Sequence, residues 1–434
     1  MLQLIEALDF RCLRNVRQEV GPFQVLVGPN ASGKTTFLDV VAFLGDLIRD
    51  GGPERAIQAR TESFRDLVWQ RRGDGFELAI EAKIPEERSQ YASPAGFDRV
   101  RYEVRLELDT ESNQIGIAEE HVLLVKPPGE ARRPALAPGE SLSRDSLLRF
   151  PQGKEVMTII SKERGKHDTF YSEKARLTGA GGRLPPIRLG PRRSALSNML
   201  WDEDACPAAT WLKQLLTEGV QTLGLDSKTL RAPSPPGLGK KTFHNDGSNL
   251  PWVVEDLVQR FPERHADWLE HVRTALPDIR TIRTVERAED RKRYLMLEYE
   301  GGFEVPSWAA SDGTLRMLAL TLIAYLPDFR GIYLVEEPEN GIHPRAVETV
   351  FQALSSAYDA QILVATHSPV ILGCARPEQV LCFTRTGEGA TSMVLGHEHP
   401  ALREWRGDPN MSVLFAAGVL GWPGFGDVER LASC

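Results

Sequence analysis

A short segment near the start of the sequence has the residue types and spacing of a phosphate-binding loop. Residues 28–35 read GPNASGKT and fit the pattern G-x-x-x-x-G-K-[ST]. Two glycines let such a backbone curl so that its N–H groups face phosphate oxygens, and a following helix N-terminus adds partial positive charge. The lysine then reaches the β- and γ-phosphates, and the threonine hydroxyl binds Mg²⁺. The predicted nucleotide-binding residues are Gly28, Pro29, Asn30, Ala31, Ser32, Gly33, Lys34, Thr35 and Thr36.

Two acidic residues follow an apolar run in the last third of the chain. The run 332–335 reads IYLV, and the chain continues Glu336-Glu337-Pro338. Unpaired charge at the end of a buried strand is costly, and a nearby divalent cation removes that cost. We expect Glu336 to hold Mg²⁺, directly or through water, together with Thr35. Glu337 then polarises the attacking water as a general base.

Further polar residues stand at two other element boundaries. His367 follows the apolar run 361–366, where it could donate a hydrogen bond to a γ-phosphate or to the attacking water. Ser311 and Gly313 precede a helix, and the hydroxyl and the N–H at such a position can address an anion. A capped helix, with Ser311 or Asp312 as the N-cap, explains the same residues without any ligand.

The elements that must position these residues alternate between strand and helix at both ends of the chain. Residues 23–27 are apolar enough for a buried strand before the loop, and a helix is predicted directly after it. The last third predicts helix 314–324, strand 331–335, helix 345–358 and strand 361–366. Alternating buried strands and helices form parallel sheets, so both ends of the chain are expected to build one sheet.

The rest of the chain has other patterns. Residues 2–27 predict a pair of strands around a turn at 20–22, and alternating residues predict an antiparallel β lobe at about 75–175. Helical spacing covers about 194–225 and 250–276. No heptad run of coiled-coil length is visible.

We therefore divide the chain into three parts. Residues 1–180 form the first part of a nucleotide-binding unit with the phosphate loop and the β lobe, 181–300 an inserted and mostly helical region, and 301–434 the second part. The fold class is α/β, with a mixed and largely parallel sheet and an antiparallel lobe.

Composition limits the function classes. The chain has 434 residues, is 41% hydrophobic and carries a net charge of −8, which suits a globular protein and gives no global reason to bind nucleic acid. Five scattered cysteines without a C-x-x-C pair argue against a zinc site or a disulfide framework. Without a signal sequence or a long apolar run, we expect a cytoplasmic protein with no membrane partner.

Taken in order, the motifs GPNASGKT, SDGTLR, IYLVEEPENGIHP and ATHSP resemble the ATPase head of ABC and SMC-like proteins. Within that class the chain most resembles the stand-alone prokaryotic ATPases often labelled AAA family, related to the head of OLD-family nucleases. The resemblance covers residues 1–45 and 305–370. It implies the fold of an ABC-type P-loop ATPase head, with ATP and Mg²⁺ as cofactors.

The resemblance also implies a dimer. In this class two heads enclose two ATP molecules, and by that match Ser311 and Gly313 contact the γ-phosphate held by the other copy. Phe10-Arg11 resembles a phenylalanine-arginine pair that places the arginine near the phosphates, although a solvated strand arginine is the alternative. The expected homodimer depends on ATP, and a higher oligomer stays open. The glutamine-loop residue is not placed, with Gln70 and Gln114 as candidates.

The resemblance leaves the biological role open between two readings. No nuclease domain is recognisable after the head, so we expect a Mg²⁺-dependent ATPase that controls a separate effector protein, as relatives do in bacterial anti-phage defence. The alternative is a DNA repair or recombination ATPase that binds DNA directly through Arg188, Arg192 and Arg193, near Lys240 and Lys241. Apolar residues at 414–422 either cap the core of the head or dock a partner.

Overall fold

The computed structural model of the chain describes residues 1–89, 92, 95–109, 114–127, 146–148, 155–199, 203–239, 242–327, 329–357 and 359–399. The strands in chain order are β1 Leu2–Phe10, β2 Leu13–Glu19, β3 Phe23–Val27, β4 Gly75–Lys83, β5 Arg99–Asp109, β6 Gln114–Val125, β7 Val156–Glu163, β8 Thr169–Phe170, β9 Val220–Leu223, β10 Ile279–Glu286, β11 Arg293–Tyr299, β12 Glu304–Pro306, β13 Ile332–Glu336, β14 Gln361–Ala365, β15 Val380–Arg385 and β16 Thr391–Leu395.

The α-helices are α1 Lys34–Arg49, α2 Pro53–Gln58, α3 Glu86–Ser89, α4 Glu173–Leu177, α5 Ala195–Asn198, α6 Pro207–Gln214, α7 Ser227–Arg231, α8 Leu250–Arg260, α9 Pro262–Ala275, α10 Asp312–Leu322, α11 Pro344–Ser355 and α12 Pro369–Cys374. A π-helical turn, Leu215–Gly219, links α6 to β9. In the described part of the chain, no helix is long and apolar enough to cross a membrane.

The central sheet carries the site and draws on both ends of the chain. Its strand order is β16-β15-β3-β14-β13-β9, in which β15, β3, β14, β13 and β9 run parallel and β16 pairs antiparallel with β15. Every residue of β3 and of β14 is buried, as expected for strands covered on both faces. One face packs against α1 and the antiparallel lobe, and the other against α8 to α12. The predicted α/β sheet built from both chain ends is confirmed.

The predicted antiparallel lobe is a sheet of order β2-β1-β4-β5-β6-β7-β8. It packs on α1 through a cluster of phenylalanines, in which the ring of Phe76 lies 4.9 Å from that of Phe10 and 5.7 Å from that of Phe43. The N-terminal segment differs from the prediction, because it holds three strands and not a pair around 20–22. A tight turn at Arg11 and Cys12 joins β1 to β2, with Phe10 paired to Leu13. Arg11 takes φ 51 there, and no glycine or proline marks the turn in the sequence.

The middle region contains one strand that the sequence analysis had assigned to a helix. Helices α5 to α9 supply most of its regular structure, but β9 leaves it to join the central sheet beside β13. The segment Val220–Leu223 is too short for its pattern to distinguish a strand from a helix end. The division at 180 and 300 stays a prediction. Strands β10, β11 and β12 form a small antiparallel sheet beside α8.

Strands β15 and β16 form an antiparallel pair at the edge of the central sheet. The apolar tail at 414–422 lies outside the described residues.

Candidate functional site

The phosphate loop connects β3 to α1 and is shaped by two close contacts. Gly28 has φ 155, and a Cβ there would lie 2.3 Å from the carbonyl oxygen of Phe383. Gly33 has φ 104, and its Cβ would lie 2.2 Å from Oγ1 of Thr391. A side chain at either position would strain the backbone and collide with a neighbour. Both glycines are therefore required by the local structure.

Lys34 is held inside the loop. Its Nζ donates hydrogen bonds to the carbonyl oxygens of Gly28 and Pro29, at 2.8 Å and 3.0 Å, and the residue is 6% exposed. Burial lowers the pKa of Lys34 to about 8, while Glu337 and Glu336 oppose that shift. Within the described residues, the buried Oγ of Ser32 has no hydrogen-bond partner. An ammonium group with one donor left and a hydroxyl without a partner, in a loop shaped by glycines, fit an anion such as a triphosphate.

Thr35 and Glu336 meet at the junction of α1 and β13. Thr35 Oγ1 donates a hydrogen bond to Glu336 Oε2 at 2.8 Å, although the residues are 301 positions apart. In the ranges that the structure describes, no group of three or more His, Cys, Asp or Glu side chains could hold a metal. One hydroxyl and one carboxylate suit Mg²⁺, which takes its other ligands from substrate phosphates and water. The predicted pair therefore fits Mg²⁺.

Glu337 follows in a strained conformation. Its φ is 46, in the left-handed region, and its N–H donates to the carbonyl oxygen of Ala365 at 2.7 Å. Asn340 Nδ2 donates to Glu337 Oε2 at 2.5 Å, and 46% of the Glu337 side chain is exposed. The hydrogen bond to Ala365 fixes the backbone of Glu337 at the end of β14. Its carboxylate is accessible to water, which suits a general base.

His367 stands opposite Glu337, with Nε2 4.0 Å from Glu337 Oε1. Burial lowers its pKa, the charge of Lys34 lowers it further, and Glu337 and Glu339 act in the other direction. The imidazole is therefore neutral at neutral pH, with one nitrogen as a donor and one as an acceptor.

Glu339 is a site residue that the sequence analysis missed. Its Oε1 accepts hydrogen bonds from Thr366 Oγ1 at 2.7 Å and from the N–H of His367 at 3.0 Å. Its Oε2 is buried and has no hydrogen-bond partner among the described residues. Glu339 therefore fixes the loop after β14 to the loop after β13. The signal available was a third acid three positions after Glu336.

A cavity of about 420 Å³ brings most of the predicted residues together. Its volume lies in the range of small-molecule sites. Gly28 and Pro29 are absent from its lining. Their carbonyl oxygens accept the hydrogen bonds from Lys34. The lining residues are Arg11, Cys12, Asn30, Ala31, Ser32, Gly33, Lys34, Thr35, Thr36, Glu336, Glu337, Ala365, His367 and Arg385.

Arg11 lines this cavity but already has an acidic partner. Its Nη1 lies 3.1 Å from Asp39 Oδ2 on α1. Two other lining residues, Cys12 and Arg385, belong to no motif in the sequence. Cys12 occupies the unmarked turn after β1, and Arg385 ends β15, where a strand end alone does not single out a residue.

Ser311 and Gly313 do not line the cavity. Ser311 caps α10, with its Oγ accepting from the N–H of Thr314 at 3.1 Å. A Cβ on Gly313 would lie 2.5 Å from the carbonyl oxygen of Gly341, so this turn packs against the loop that follows β13. Ser311 is thus the N-cap of α10, as the helix-capping alternative predicted. Its side chain is also exposed to solvent.

The glutamine-loop candidates and the basic residues lie elsewhere. Gln70 and Gln114 are both outside the cavity lining. Arg188, Arg192 and Arg193 are exposed, whereas Lys240 and Lys241 lie outside the described residues.

The profile of a family described as "AAA domain, putative AbiEii toxin, Type IV TA system" matches residues 23–136 and 173–373, which is well over half of the chain. The chain belongs to this family. The AAA-labelled, SMC-like ATPase head expected from the motifs is thereby confirmed, whereas the relation to OLD-family proteins stays a prediction. No curated protein matches the chain.

Solved SMC heads have a similar fold. An Smc head bound to the C-winged helix domain of ScpA is 16% identical, with a TM-score of 0.51 over 91% of this chain and 97% of that chain. An Smc head domain with an extended coiled coil, bound to the C-terminal domain of ScpA derived from Pyrococcus furiosus, is 13% identical with a TM-score of 0.49 over 91% and 95%. The SMC head domain from Thermotoga maritima is 10% identical with a TM-score of 0.43 over 91% and 98%. The similarity to the first of these heads confirms the predicted fold class of this chain.

Proposed function

We propose that this protein is a Mg²⁺-dependent ATPase that hydrolyses ATP between two copies of its head and uses the cycle to control a separate effector protein. The observation that carries the proposal is the 2.8 Å contact between Thr35 and Glu336, which joins the phosphate loop to the acidic strand end. Lys34 and Glu337 line the same cavity as that contact. The residues proposed to bind phosphate, to bind the metal and to accept a proton from water thus share one cavity.

The chain's own residues divide the work. The loop N–H groups, Ser32 and Lys34 bind the phosphates, and Thr35 with Glu336 holds Mg²⁺. Bound there, Mg²⁺ would neutralise charge on the β- and γ-phosphates. Glu337 accepts the proton of the attacking water, because its carboxylate is accessible and held by Asn340, while the carbonyl oxygen of Ala365 fixes its backbone.

His367 and Arg11 have supporting roles in this proposal. The neutral imidazole of His367 donates a hydrogen bond to the γ-phosphate or to the water, while Glu339 fixes the backbone at His367. Arg11 lines the same cavity and contacts the nucleotide once its pairing with Asp39 is exchanged for phosphate.

The position of Ser311 and Gly313 supports a composite site. Both lie outside the cavity of their own head, on a helix N-terminus that favours an anion. A second copy facing this one could place that N-terminus against the γ-phosphate. The homodimer would then form when ATP is bound and separate after hydrolysis.

A partner protein is proposed on two grounds. The family description names a putative toxin and a toxin–antitoxin system, which suits a component of a genome-conflict or anti-phage system. One structural neighbour with a similar fold is an Smc head with a domain of ScpA bound, so heads of this fold can carry a second protein.

The test measures hydrolysis and mass together. Wild-type protein should release phosphate from ATP with Mg²⁺ and not with EDTA, and light scattering should show twice the monomer mass with ATP. Lys34→Ala should show neither Mg²⁺-dependent phosphate release nor the doubled mass. A wild-type protein without Mg²⁺-dependent hydrolysis would refute the proposal, and Arg330→Ala, on an exposed arginine paired with Glu87, is the matched control.

A further inference from the structure

Arg385 is an exposed arginine in the wall of the nucleotide cavity that no sequence motif marks. Its Nη2 lies 3.1 Å from the position that a Cβ on Gly389 would occupy. Gly389 belongs to the turn between β15 and β16, with φ 86. The guanidinium therefore extends beside a turn that has no side chain at this point.

The strand pair β15–β16 is fixed to the phosphate loop. Thr391, which pairs with Arg385 across the two strands, donates its Oγ1 hydrogen bond to the carbonyl oxygen of Ser32 at 2.9 Å. The N–H of Thr391 donates to the carbonyl oxygen of Cys12 at 2.8 Å. The backbone of Arg385 is thus held at a defined place relative to the loop.

The strand order puts Arg385 on the opposite side of the loop from the acids. The loop follows β3, which has β14 and β13 on one side and β15 on the other. His367, Glu336 and Glu337 belong to the β14 and β13 side, where the γ-phosphate is cleaved in the proposed function. Arg385 belongs to the β15 side, away from that chemistry.

The other cations of the cavity already have acceptors. Lys34 donates to two carbonyl oxygens of the loop, and Arg11 pairs with Asp39. The nearby acid of the β15–β16 turn, Glu388, pairs with Arg14. Across the described parts of the chain, the guanidinium of Arg385 has no hydrogen-bond or ion-pair partner. It is a donor group presented to whatever fills the cavity.

We propose that Arg385 binds the part of the nucleotide that ATP and ADP share, at the end of the cavity remote from Glu336 and Glu337. This inference rests on the proposed function, because it assumes that the cavity takes ATP. A charged hydrogen bond from arginine to phosphate, or its stacking on a base, would strengthen binding without entering the hydrolytic step. Arg385 is accordingly a binding residue and not a catalytic one.

The experiment compares nucleotide affinities of four proteins by isothermal titration calorimetry. These are the wild type, Arg385→Ala, Arg385→Lys and the control Arg330→Ala, each titrated with MgATP and with MgADP. We expect Arg385→Ala to weaken both nucleotides by the same factor, about tenfold, which is the usual size of one charge-assisted hydrogen bond. Arg385→Lys should recover part of the loss. In Arg385→Ala, KM for ATP should rise while kcat changes little.

Each outcome decides the inference. An Arg385→Ala affinity equal to the wild type, or a loss matched by Arg330→Ala, overturns it. A loss for ATP without a loss for ADP also overturns it, because it would place Arg385 at the γ-phosphate. If the wild type bound neither nucleotide, the proposed function would fail as well. If the wild type binds ATP and Arg385→Ala binds it equally well, only the assignment of Arg385 is refuted. Unchanged thermal unfolding without nucleotide shows that the exposed substitution leaves the fold intact.

Discussion

Binding of MgATP should take up protons at alkaline pH, in an amount set by Lys34. Burial in the phosphate loop lowers the pKa of this lysine from 10.5 to about 8 in the free protein. A triphosphate placed against the ammonium group stabilises its charged form and raises the pKa again. Between the two pKa values the bound protein carries more protons than the free protein. Affinity for MgATP should therefore fall as the pH rises through about 8.

The size of the effect follows from that pKa. With a pKa of about 8, about 10% of Lys34 is neutral at pH 7, about half at pH 8 and about 90% at pH 9. Each neutral lysine gains one proton on binding, so we expect uptake of about 0.1, 0.5 and 0.9 proton per MgATP at these pH values. The apparent affinity should decrease about fivefold between pH 8 and pH 9, and about tenfold per pH unit above that, up to the pKa of the bound state.

Calorimetry in pairs of buffers with different ionisation enthalpies measures this uptake directly. Lys34→Arg is the matched control, because its guanidinium stays protonated throughout this range and should take up no proton. Subtracting the control also removes protons exchanged by the nucleotide itself. Equal uptake by wild type and Lys34→Arg at pH 9 would refute the reasoning. So would a wild-type affinity that does not change between pH 7 and pH 9.

Three further substitutions test other parts of the site. Glu337→Gln should keep ATP binding, lower hydrolysis at least about 100-fold and trap a dimer visible by light scattering; hydrolysis at the wild-type rate would disprove the assignment of the base. Ser311→Ala should bind ATP without hydrolysing it, and mixing it with Lys34→Ala should restore hydrolysis at one composite site; no recovery in the mixture argues against action between copies. Gly33→Ala should lower the free energy of unfolding by about 3 kcal/mol in urea titrations, through its φ of 104 and its collision with Thr391, and an undiminished value would contradict the close packing described here.

The sequence predicts those parts of the site that depend on local pattern. The phosphate loop, β13 with its two acids and β14 before His367 each combine an apolar run with a polar end, and such runs are visible without knowledge of the fold. The pairing of Thr35 with Glu336 also follows, since parallel strands present their carboxyl ends at one edge.

Other features depend on contacts that no local pattern encodes. Glu339 matters because its carboxylate reaches the N–H of His367 from another loop. Arg385 matters because β15 happens to be the neighbour of β3. The strand β9 was missed for a similar reason, because four residues are stabilised there by an edge of β13 that lies more than one hundred positions away.

The position of β3 in the central sheet bears on how the protein is made. Both neighbours of β3, β14 and β15, are more than 330 residues further along the chain. During synthesis the apolar strand before the phosphate loop has both of its edges unpaired until residues 361–385 have left the ribosome. Contacts of such long sequence separation form slowly, and an unpaired strand edge favours association with other chains. The nascent chain therefore exposes this strand to association with other chains for most of its translation.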